Sequence, residues 1–266
     1  MFNPFGDFES EGYLRNARKD KDESVIKLFE HNSFRANLDD ALAYLAARKT
    51  LQYEDFLEVH RILFVDYYPW AGQDRIVTAP NKSITKGDVL FCQPQDIRRA
   101  VDYGLRLGQD KKTMQHKLGE VMGLFAYGHP FLDGNGRTML LIHHELAYRA
   151  GFSVRWEATD KQNYLTALTK EICHPGQGHL DGYMIPFKGE RLERGHWGER
   201  VFAMRGLDSA ENFEDQARSL SDPSVFERYQ KFEAARAYRY AISGTVGSLG
   251  TDPAPAPTTM TRPPKP

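Results

Sequence analysis

Apolar residues spaced for helices are the feature of this 266-residue sequence that most limits its fold. In residues 53–67, large side chains recur at steps of three and four, and Pro69 ends the pattern. Such spacing places one apolar stripe along a helix. The same spacing occurs in residues 23–33, in a segment beginning at Asn37, and in residues 95–107, 111–127, 136–150, 160–172, 180–187 and 229–242. The sequence therefore predicts a mainly α fold and excludes a parallel nucleotide-binding sheet.

One segment departs from the helical pattern. Arg75-Ile-Val-Thr is strand-like, residues 81–88 are rich in turn formers, and Val89-Leu-Phe is strand-like again. This pattern predicts a small two-stranded hairpin, which we call the flap, on a helical body. An exposed strand edge of the flap could pair with an extended segment of another protein.

Composition excludes several classes of function. The net charge is -1 and the pI is about 6.8, which gives no support for bulk binding to nucleic acid. No stretch approaches the length of a membrane span, and the N-terminus lacks the apolar run of a signal peptide. Cys92 and Cys173 are far apart in sequence, so we expect no disulfide framework and a cytoplasmic location.

The stretch 129–137, His-Pro-Phe-Leu-Asp-Gly-Asn-Gly-Arg, is dense in reactive groups. His129 can exchange a proton near neutral pH, and Asp133 is a hard oxygen ligand of the type that Mg²⁺ binds. Arg137 presents a fixed fork of donors to phosphate oxygens. Gly134 and Gly136 flank Asn135, so the backbone can turn and present N–H groups. This combination indicates transfer of a phosphorus-containing group.

The stretch lies between two predicted helices. Free N–H groups and the positive dipole end of the second helix point at the loop, which makes an anion site. We expect His129 at the rim of this site, Asp133 on a Mg²⁺ that bridges two phosphates, and Arg137 near the leaving phosphate. The sequence contains no Gly-x4-Gly-Lys-Ser/Thr, so the loop is not a P-loop.

Residues 129–137 resemble the signature of the Fic (filamentation induced by cAMP) family, His-Pro-Phe-x-Asp/Glu-Gly-Asn-Gly-Arg, at all nine positions. Residues 62–64, 68–72 and 91–94 are also similar to the family. The resemblance implies a Fic-type helical bundle with a β-hairpin flap over the active-site loop. It further implies transfer of AMP from ATP, with Mg²⁺, to a Ser, Thr or Tyr hydroxyl of a target protein.

The resemblance also implies a role for each site residue. His129 would deprotonate the target hydroxyl, Asp133 would bind Mg²⁺, and Arg137 would contact the β-phosphate of the leaving pyrophosphate. Phosphate contacts would come from Gly134, Asn135 and Gly136. The main chain of the target would be held by flap residues Ile84, Thr85 and Lys86.

The sequence departs from the family at one important position. Many members carry a second arginine three residues after the first, where Leu140 stands here. This difference is compatible with weaker ATP use, with compensation by Thr138, or with another donated group such as UMP, phosphocholine or phosphate. It is also compatible with a module that binds a nucleotide or partner without turnover, although intact His129 and Asp133 favour an enzyme.

The family's inhibitory helix reads Ser/Thr-x-x-x-Glu-Gly/Asn. The nearest string runs from Thr50 to Glu54, but Asp55 follows it and the segment belongs to a core helix. We therefore expect no self-inhibitory glutamate. If the protein is a toxin, a separate antitoxin protein should restrain it.

The composition divides the chain into three predicted segments. Residues 1–190 are expected to form the catalytic domain and residues 191–245 a C-terminal helical extension. Residues 246–266 are rich in Pro and Thr and are expected to be disordered. The basic, Pro-rich end is compatible with export of the protein as an effector into a host cell.

Overall fold

A computed structural model of the protein describes residues 2–87, 89–202, 204 and 215–240. Helices dominate this part of the chain, as the apolar spacing predicts. They are α1 (Phe8–Glu11), α2 (Glu23–Ala46), α3 (Tyr53–Phe64), α4 (Arg75–Thr78), α5 (Ile97–Gln109), α6 (Lys111–His116), α7 (Leu118–Gly128), α8 (Asn135–Arg149), α9 (Lys161–Cys173), α10 (His179–Met184), α11 (Trp197–Phe202) and α12 (Pro223–Arg236).

Five short strands form two antiparallel sheets within the described residues. The strands are β1 (Lys82–Lys86), β2 (Val89–Leu90), β3 (Phe152–Val154), β4 (Lys188–Glu190) and β5 (Asp215–Ser219). One sheet has the order β2-β1-β5, and the other pairs β3 with β4. The first sheet contains the flap.

The centre of the core is α7, of which every residue is buried. It packs against α5, α8, α9 and α10, while α2 packs along α3 on the side of the loop. A helix that is apolar on all sides is stable only when other elements bury every side of it. The four helices around α7 do this, and they hold its C-terminal end in place. That end leads directly into the loop 129–134.

Several local predictions are wrong. There is no break before Asn37, since α2 runs continuously from Glu23 to Ala46. Arg75–Thr78 is a helix, because the Asp74 side chain accepts a hydrogen bond from the Ile76 N–H and caps it. Pairing with β2 and β5 makes Lys82–Lys86 the central strand of the flap, although the sequence indicates a turn there.

The described part of the predicted C-terminal extension, residues 191–245, contains the helices α11 and α12 and also strand β5, which was not predicted. The helix predicted over 229–242 instead begins at Pro223 and ends at Arg236. Strand β5 pairs with β1, so the flap edge predicted to be exposed is covered by this chain. The tail predicted to be disordered, 246–266, lies outside the described residues. None of the described helices combines the length and apolar character that a membrane span requires.

Candidate active site

The loop 129–134 connects two helices through two left-handed backbone conformations. His129 follows α7 with φ of 41°, and Gly134 precedes α8 with φ of 75°. A Cβ atom at Gly134 would lie 2.6 Å from the Phe64 ring. Position 134 therefore needs glycine, both for its backbone conformation and for the close approach of α3. The loop is consequently held against the body of the fold.

The His129 side chain is fixed by two neighbours. Its ring stacks on Phe91, with centroids 3.8 Å apart, and its Nε2 lies 3.2 Å from the Asn135 Nδ2. Since an amide nitrogen only donates, Nε2 carries the lone pair of the imidazole. Burial, together with the charges of Arg75 and Lys86, holds the pKa of His129 well below its usual value. The imidazole is therefore neutral at neutral pH and can accept a proton.

The Asn135 side chain is bonded to the loop itself. Its Oδ1 accepts a hydrogen bond from the Phe131 N–H at 2.9 Å, and its Nδ2 donates to the Phe131 carbonyl at 2.8 Å. These bonds fix which side-chain atom is nitrogen and leave the amide committed to the loop and to His129. The side chain is thus placed to shape the loop rather than to hold a phosphate.

Arg75, which is not among the site residues predicted from the sequence, supports the loop. Its side chain is fully buried and donates to the carbonyls of His129, Cys92 and Gly128 at 2.7, 2.7 and 3.3 Å. It thereby ties the end of α7 to the chain that follows β2. The preceding Asp74, a favoured N-cap residue, was the available signal that a short helix presents Arg75 here.

Asp133 lies at the half-buried mouth of the loop. One carboxylate oxygen accepts the Gly134 N–H at 2.7 Å, and the other lies 3.4 Å from the Tyr68 hydroxyl. Its carbonyl accepts a bond from His60 Nε2 at 3.1 Å, because His60 Nδ1 already accepts the Gly72 N–H. Burial lowers the pKa of His60 to about 3, so this support is a neutral histidine.

A metal at this position would have one protein carboxylate. Within the described part of the chain, no group of three or more His, Cys, Asp or Glu side chains could hold a metal ion. Mg²⁺ commonly binds through one or two carboxylates, with water and substrate phosphates completing its shell. Asp133 is compatible with that mode and not with a metal site built from protein ligands alone.

Arg137 lies in the first turn of α8 and is already paired. It forms an ion pair with Glu30 of α2, and its guanidinium carbon lies 4.8 Å from the centre of the Phe64 ring. Burial raises the pKa of Glu30 to about 7, although the charge of Arg137 opposes this rise. The expectation that the chain has no self-inhibitory glutamate stays a prediction, but Glu30 is a glutamate of this chain that pairs with Arg137. Glu54, the residue considered earlier, bonds to Arg98 at the surface instead.

Two further positions on α8 face away from the loop mouth. The Thr138 side chain is fully buried, and its hydroxyl donates to the Gly134 carbonyl at 3.0 Å. Its predicted contact with phosphate is therefore not supported. Leu140 is buried and lines a cavity of about 290 Å³ between α8, the β3-β4 sheet and α11. Three arginines also line this cavity: Arg155, Arg191 and Arg200.

Other histidines do not form a metal site. His143 and His144, on α8, are both buried. His143 Nε2 bonds to the Leu118 carbonyl at 2.8 Å, and the His144 ring packs on Trp197. Both are parts of the core.

The flap is connected to His129 through Phe91. The Phe91 N–H donates to the carbonyl of Ile84 on β1 at 3.1 Å, while the Phe91 ring stacks on His129. Of the three predicted docking residues, Ile84 and Thr85 are buried and Lys86 is half-buried. The other edge of β1 pairs with β5. The flap thus lies beside His129, and β5 covers the edge of β1 that does not pair with β2.

Together, these features define a class of protein: a helical domain with a glycine-flanked helix start, a neutral histidine beside it and a β-hairpin next to that histidine. Residues 50–147 match the family model described as the Fic/DOC family. The chain therefore carries a Fic/DOC family domain, as its resemblance to the Fic signature implies.

Two relatives of known name are similar to this chain. A "Probable protein adenylyltransferase y4lH" of Sinorhizobium fredii is 29% identical over 171 residues, which is 60% of this chain and 83% of that protein. "Protein adenylyltransferase VbhT" of Bartonella schoenbuchensis is 30% identical over 118 residues, covering 41% of this chain. The match spans only 24% of that longer protein.

A solved structure has the same fold. The N-terminal Fic domain of a VirB-translocated Bep effector protein from Bartonella quintana, with bound ADP, superimposes with a TM-score of 0.58 at 18% sequence identity. The superposition covers 69% of this chain and 94% of that domain. At this identity the similarity establishes the fold, and it confirms the predicted helical bundle.

Proposed function

We propose that this protein is an adenylyltransferase that moves AMP from ATP to a Ser, Thr or Tyr hydroxyl of a target protein. The observation that carries the proposal is the state of His129. Its ring is buried, neutral and oriented by Phe91 and Asn135, directly beside the N-terminus of α8. Transfer of a phosphate-containing group to a hydroxyl requires a base for the hydroxyl proton and, beside it, a site for the phosphate, which the start of a helix can provide.

The reaction proposed here balances as a nucleophilic displacement. The target hydroxyl replaces Asn135 Nδ2 as the donor to His129 Nε2 and loses its proton to that nitrogen, while its oxygen forms a bond to the α-phosphorus of ATP. The bond from that phosphorus to the bridging oxygen breaks, and pyrophosphate leaves. Charge on the leaving group would be neutralised by Arg137 and by N–H groups around Gly134 and Gly136.

Mg²⁺ is part of the proposal, with Asp133 as its protein ligand. When bound, the ion would neutralise phosphate charge. The single carboxylate fits an ion that is held mainly by phosphates. The bound ADP described for the Bartonella quintana domain supports a nucleotide in the same fold.

The partners belong to the same proposal. The target is a protein that offers an extended segment to the flap, and the reaction takes place in cytoplasm. The Bartonella quintana relative is described as a translocated effector, which supports delivery of this protein into a host cell. A separate antitoxin, expected on sequence grounds, is not needed to engage Arg137, because Glu30 of this chain already does so.

The experiment compares two labels. The protein is incubated with Mg²⁺ and a cell lysate, together with ATP labelled either at the α- or at the γ-phosphate. We expect target proteins to be labelled from α-labelled ATP only, and not by a His129→Ala variant. Label from γ-labelled ATP would indicate phosphate transfer, and label only from a UMP or phosphocholine donor would indicate a different donated group.

One observation favours a second function. Leu140 stands where many family members have an arginine, and it is buried in a cavity wall. If nucleotide binds and no donor labels any protein, the domain is a binding module without turnover.

A further inference from the structure

Strand β5 occupies the free edge of the flap. It pairs antiparallel with β1 over five residues, with Lys82 opposite Ser219, Ile84 opposite Ala217 and Lys86 opposite Asp215. Strand β1 therefore has a neighbour on both sides, since β2 covers its other edge. A further segment can pair with β1 only if β5 leaves.

The hydrogen-bond pattern of this pairing can be assigned. The Leu220 N–H donates to the Asn81 carbonyl at 2.9 Å, one pair beyond the strand register. In an antiparallel ladder, hydrogen-bonded pairs alternate with non-bonded pairs. The N–H groups of Ser83 and Thr85 therefore face β5, whereas those of Ile84 and Lys86 face β2. In β5, the N–H groups of Gln216 and Arg218 face β1, and that of Ser219 faces away.

The pairing itself is weakly reinforced by side chains. Gln216 and Arg218 are exposed, and only the half-buried Ala217 packs against the core. Strand β5 also lacks the alternating large apolar residues that usually fix a strand to a sheet. Main-chain hydrogen bonds thus carry most of the attachment.

The chain after β5 is anchored much more firmly. The buried guanidinium of Arg236 lies 3.4 Å from the centre of the Tyr127 ring and donates to the Ile172 carbonyl at 2.8 Å. The Tyr238 hydroxyl donates to Glu120 at 2.5 Å. Because α12 is fixed to the body, β5 remains near the flap even when its own bonds open. A tethered segment of this kind acts at an effective concentration of about millimolar.

We propose that β5 is a competitor within the chain for the target-docking edge of the flap. The segment that replaces it is extended and antiparallel to β1, with a small residue opposite Ile84 where Ala217 now lies. A target segment that pairs with β1 more weakly than β5 does is excluded from this edge. A segment that pairs with β1 more strongly displaces β5. This inference rests on the proposed function for the role of the flap, but the pairing can be tested without any activity.

The test uses two proline variants of the full chain and a third proline variant as a control. Arg218→Pro removes an N–H that faces β1, from an exposed position, and Gln216→Pro does the same at the next bonded pair. Ser219→Pro is the matched control, because it removes an N–H that faces away from β1. Hydrogen exchange is measured on the backbone amides of β1.

We expect Arg218→Pro to lower the protection of the Ser83 and Thr85 amides by about tenfold or more, as for loss of a main-chain hydrogen bond. The Ile84 and Lys86 amides should stay protected. Ser219→Pro should leave the protection of all four of these β1 amides unchanged. A labelled peptide of residues 214–221 should bind Arg218→Pro and not the wild type. Unchanged protection together with no peptide binding in both Arg218→Pro and Gln216→Pro would overturn the proposal.

An activity measurement then separates two roles of β5. With α-labelled ATP and a lysate, Arg218→Pro should label target proteins several-fold more strongly than the wild type or Ser219→Pro. Weaker labelling in Arg218→Pro would show that β5 is a permanent part of the docking surface and not a competitor. If no variant labels any protein, the proposed function fails, and the exchange and peptide results still decide whether β5 blocks the edge.

Discussion

Arg137, in the first turn of α8, is bonded to Glu30 of α2, a residue 107 positions earlier in the chain. Both side chains are largely buried, so the pair lies in a medium where charges interact strongly. The carboxylate neutralises the charge that a nucleotide would meet at this position. If Arg137 contacts the leaving phosphate as we propose, Glu30 would limit how strongly the guanidinium attracts that phosphate.

Replacing Glu30 by glutamine should tighten ATP binding. Glu30→Gln keeps a hydrogen-bond acceptor for Arg137 and removes the competing negative charge. At a pH of about 8.5, where a carboxyl with a pKa of about 7 is almost fully ionised, we expect affinity for Mg·ATP to rise about tenfold. Calorimetric titration measures this change. Glu54→Gln, at an exposed ion pair with Arg98, is the control and should have no effect. Weaker binding by Glu30→Gln would show that the carboxylate positions Arg137 for phosphate instead of competing with it.

The same pair predicts a pH dependence. The pKa of Glu30 is raised to about 7 from its ordinary 4.5, because it is buried. The folded protein therefore binds the Glu30 proton more tightly than the unfolded chain does. The stabilisation that results is fully present below pH 4.5 and is lost as the pH rises through 7. ATP affinity should likewise fall as the pH rises through 7. Glu30→Gln should bind ATP with the smaller pH dependence of the nucleotide itself, and equal slopes for the two proteins would exclude Glu30 as the cause.

His129→Asn should abolish transfer while the fold remains. Asparagine tolerates the left-handed backbone conformation of position 129 better than alanine does. The variant therefore tests loss of the imidazole separately from backbone strain. We expect the transfer rate to fall by about 10²-fold or more, with ATP affinity within about threefold of the wild type. Label transfer and nucleotide titration are measured on the same preparation. A rate within tenfold of the wild type would mean that His129 is not the base.

Arg75→Met should destabilise the fold and impair the site together. Three buried carbonyls, those of His129, Cys92 and Gly128, would lose the guanidinium as a donor, and that of Gly128 would keep the Cys92 thiol as a second donor. We expect the free energy of unfolding to fall by about 2–5 kcal/mol, as for other disrupted buried polar networks. Arg98→Met, at an exposed ion pair, should cost less than about 1 kcal/mol in the same denaturant titration. Equal losses in the two variants would contradict the supporting role of Arg75.

The two glycines of the loop should respond differently to alanine. At Gly134, alanine would combine a φ of 75° with a Cβ 2.6 Å from Phe64, so we expect a loss of about 2 kcal/mol or more. At Gly136, a Cβ would meet nothing within 4 Å. Since Gly136 is in a helix, alanine there should be neutral or stabilising by up to about 1 kcal/mol. Thermal unfolding measures both, and a loss at position 136 as large as at position 134 would contradict the described loop packing.

The parts of the fold that depend on local pattern could be predicted from sequence. Apolar spacing indicates α3, α5 and α8, and the nine-residue motif indicates a loop between two helices. The Arg75–Thr78 segment was assigned wrongly because Ile76 and Val77 favour strands, whereas the Asp74 cap and the carbonyls that surround Arg75 favour a helical turn.

Contacts between distant parts of the chain could not be predicted in this way. Glu30 is one of several acidic residues on a long helix, and nothing near it in sequence points to Arg137. Strand β5 reads Asp-Gln-Ala-Arg-Ser, without an apolar alternation, so its pairing with the flap depends on where α12 holds the chain. Both contacts arise only when the fold brings these segments together.

The central claim is that His129 supports transfer of AMP, and the mass of the product tests it most directly. Proteins labelled in a lysate with Mg²⁺ and ATP are isolated, and the modified peptide is measured by mass spectrometry beside a His129→Asn reaction. We predict an added mass of one AMP group on a Ser, Thr or Tyr residue, absent from the His129→Asn reaction. An added phosphate, or an AMP group that remains when His129 is replaced, would contradict the account.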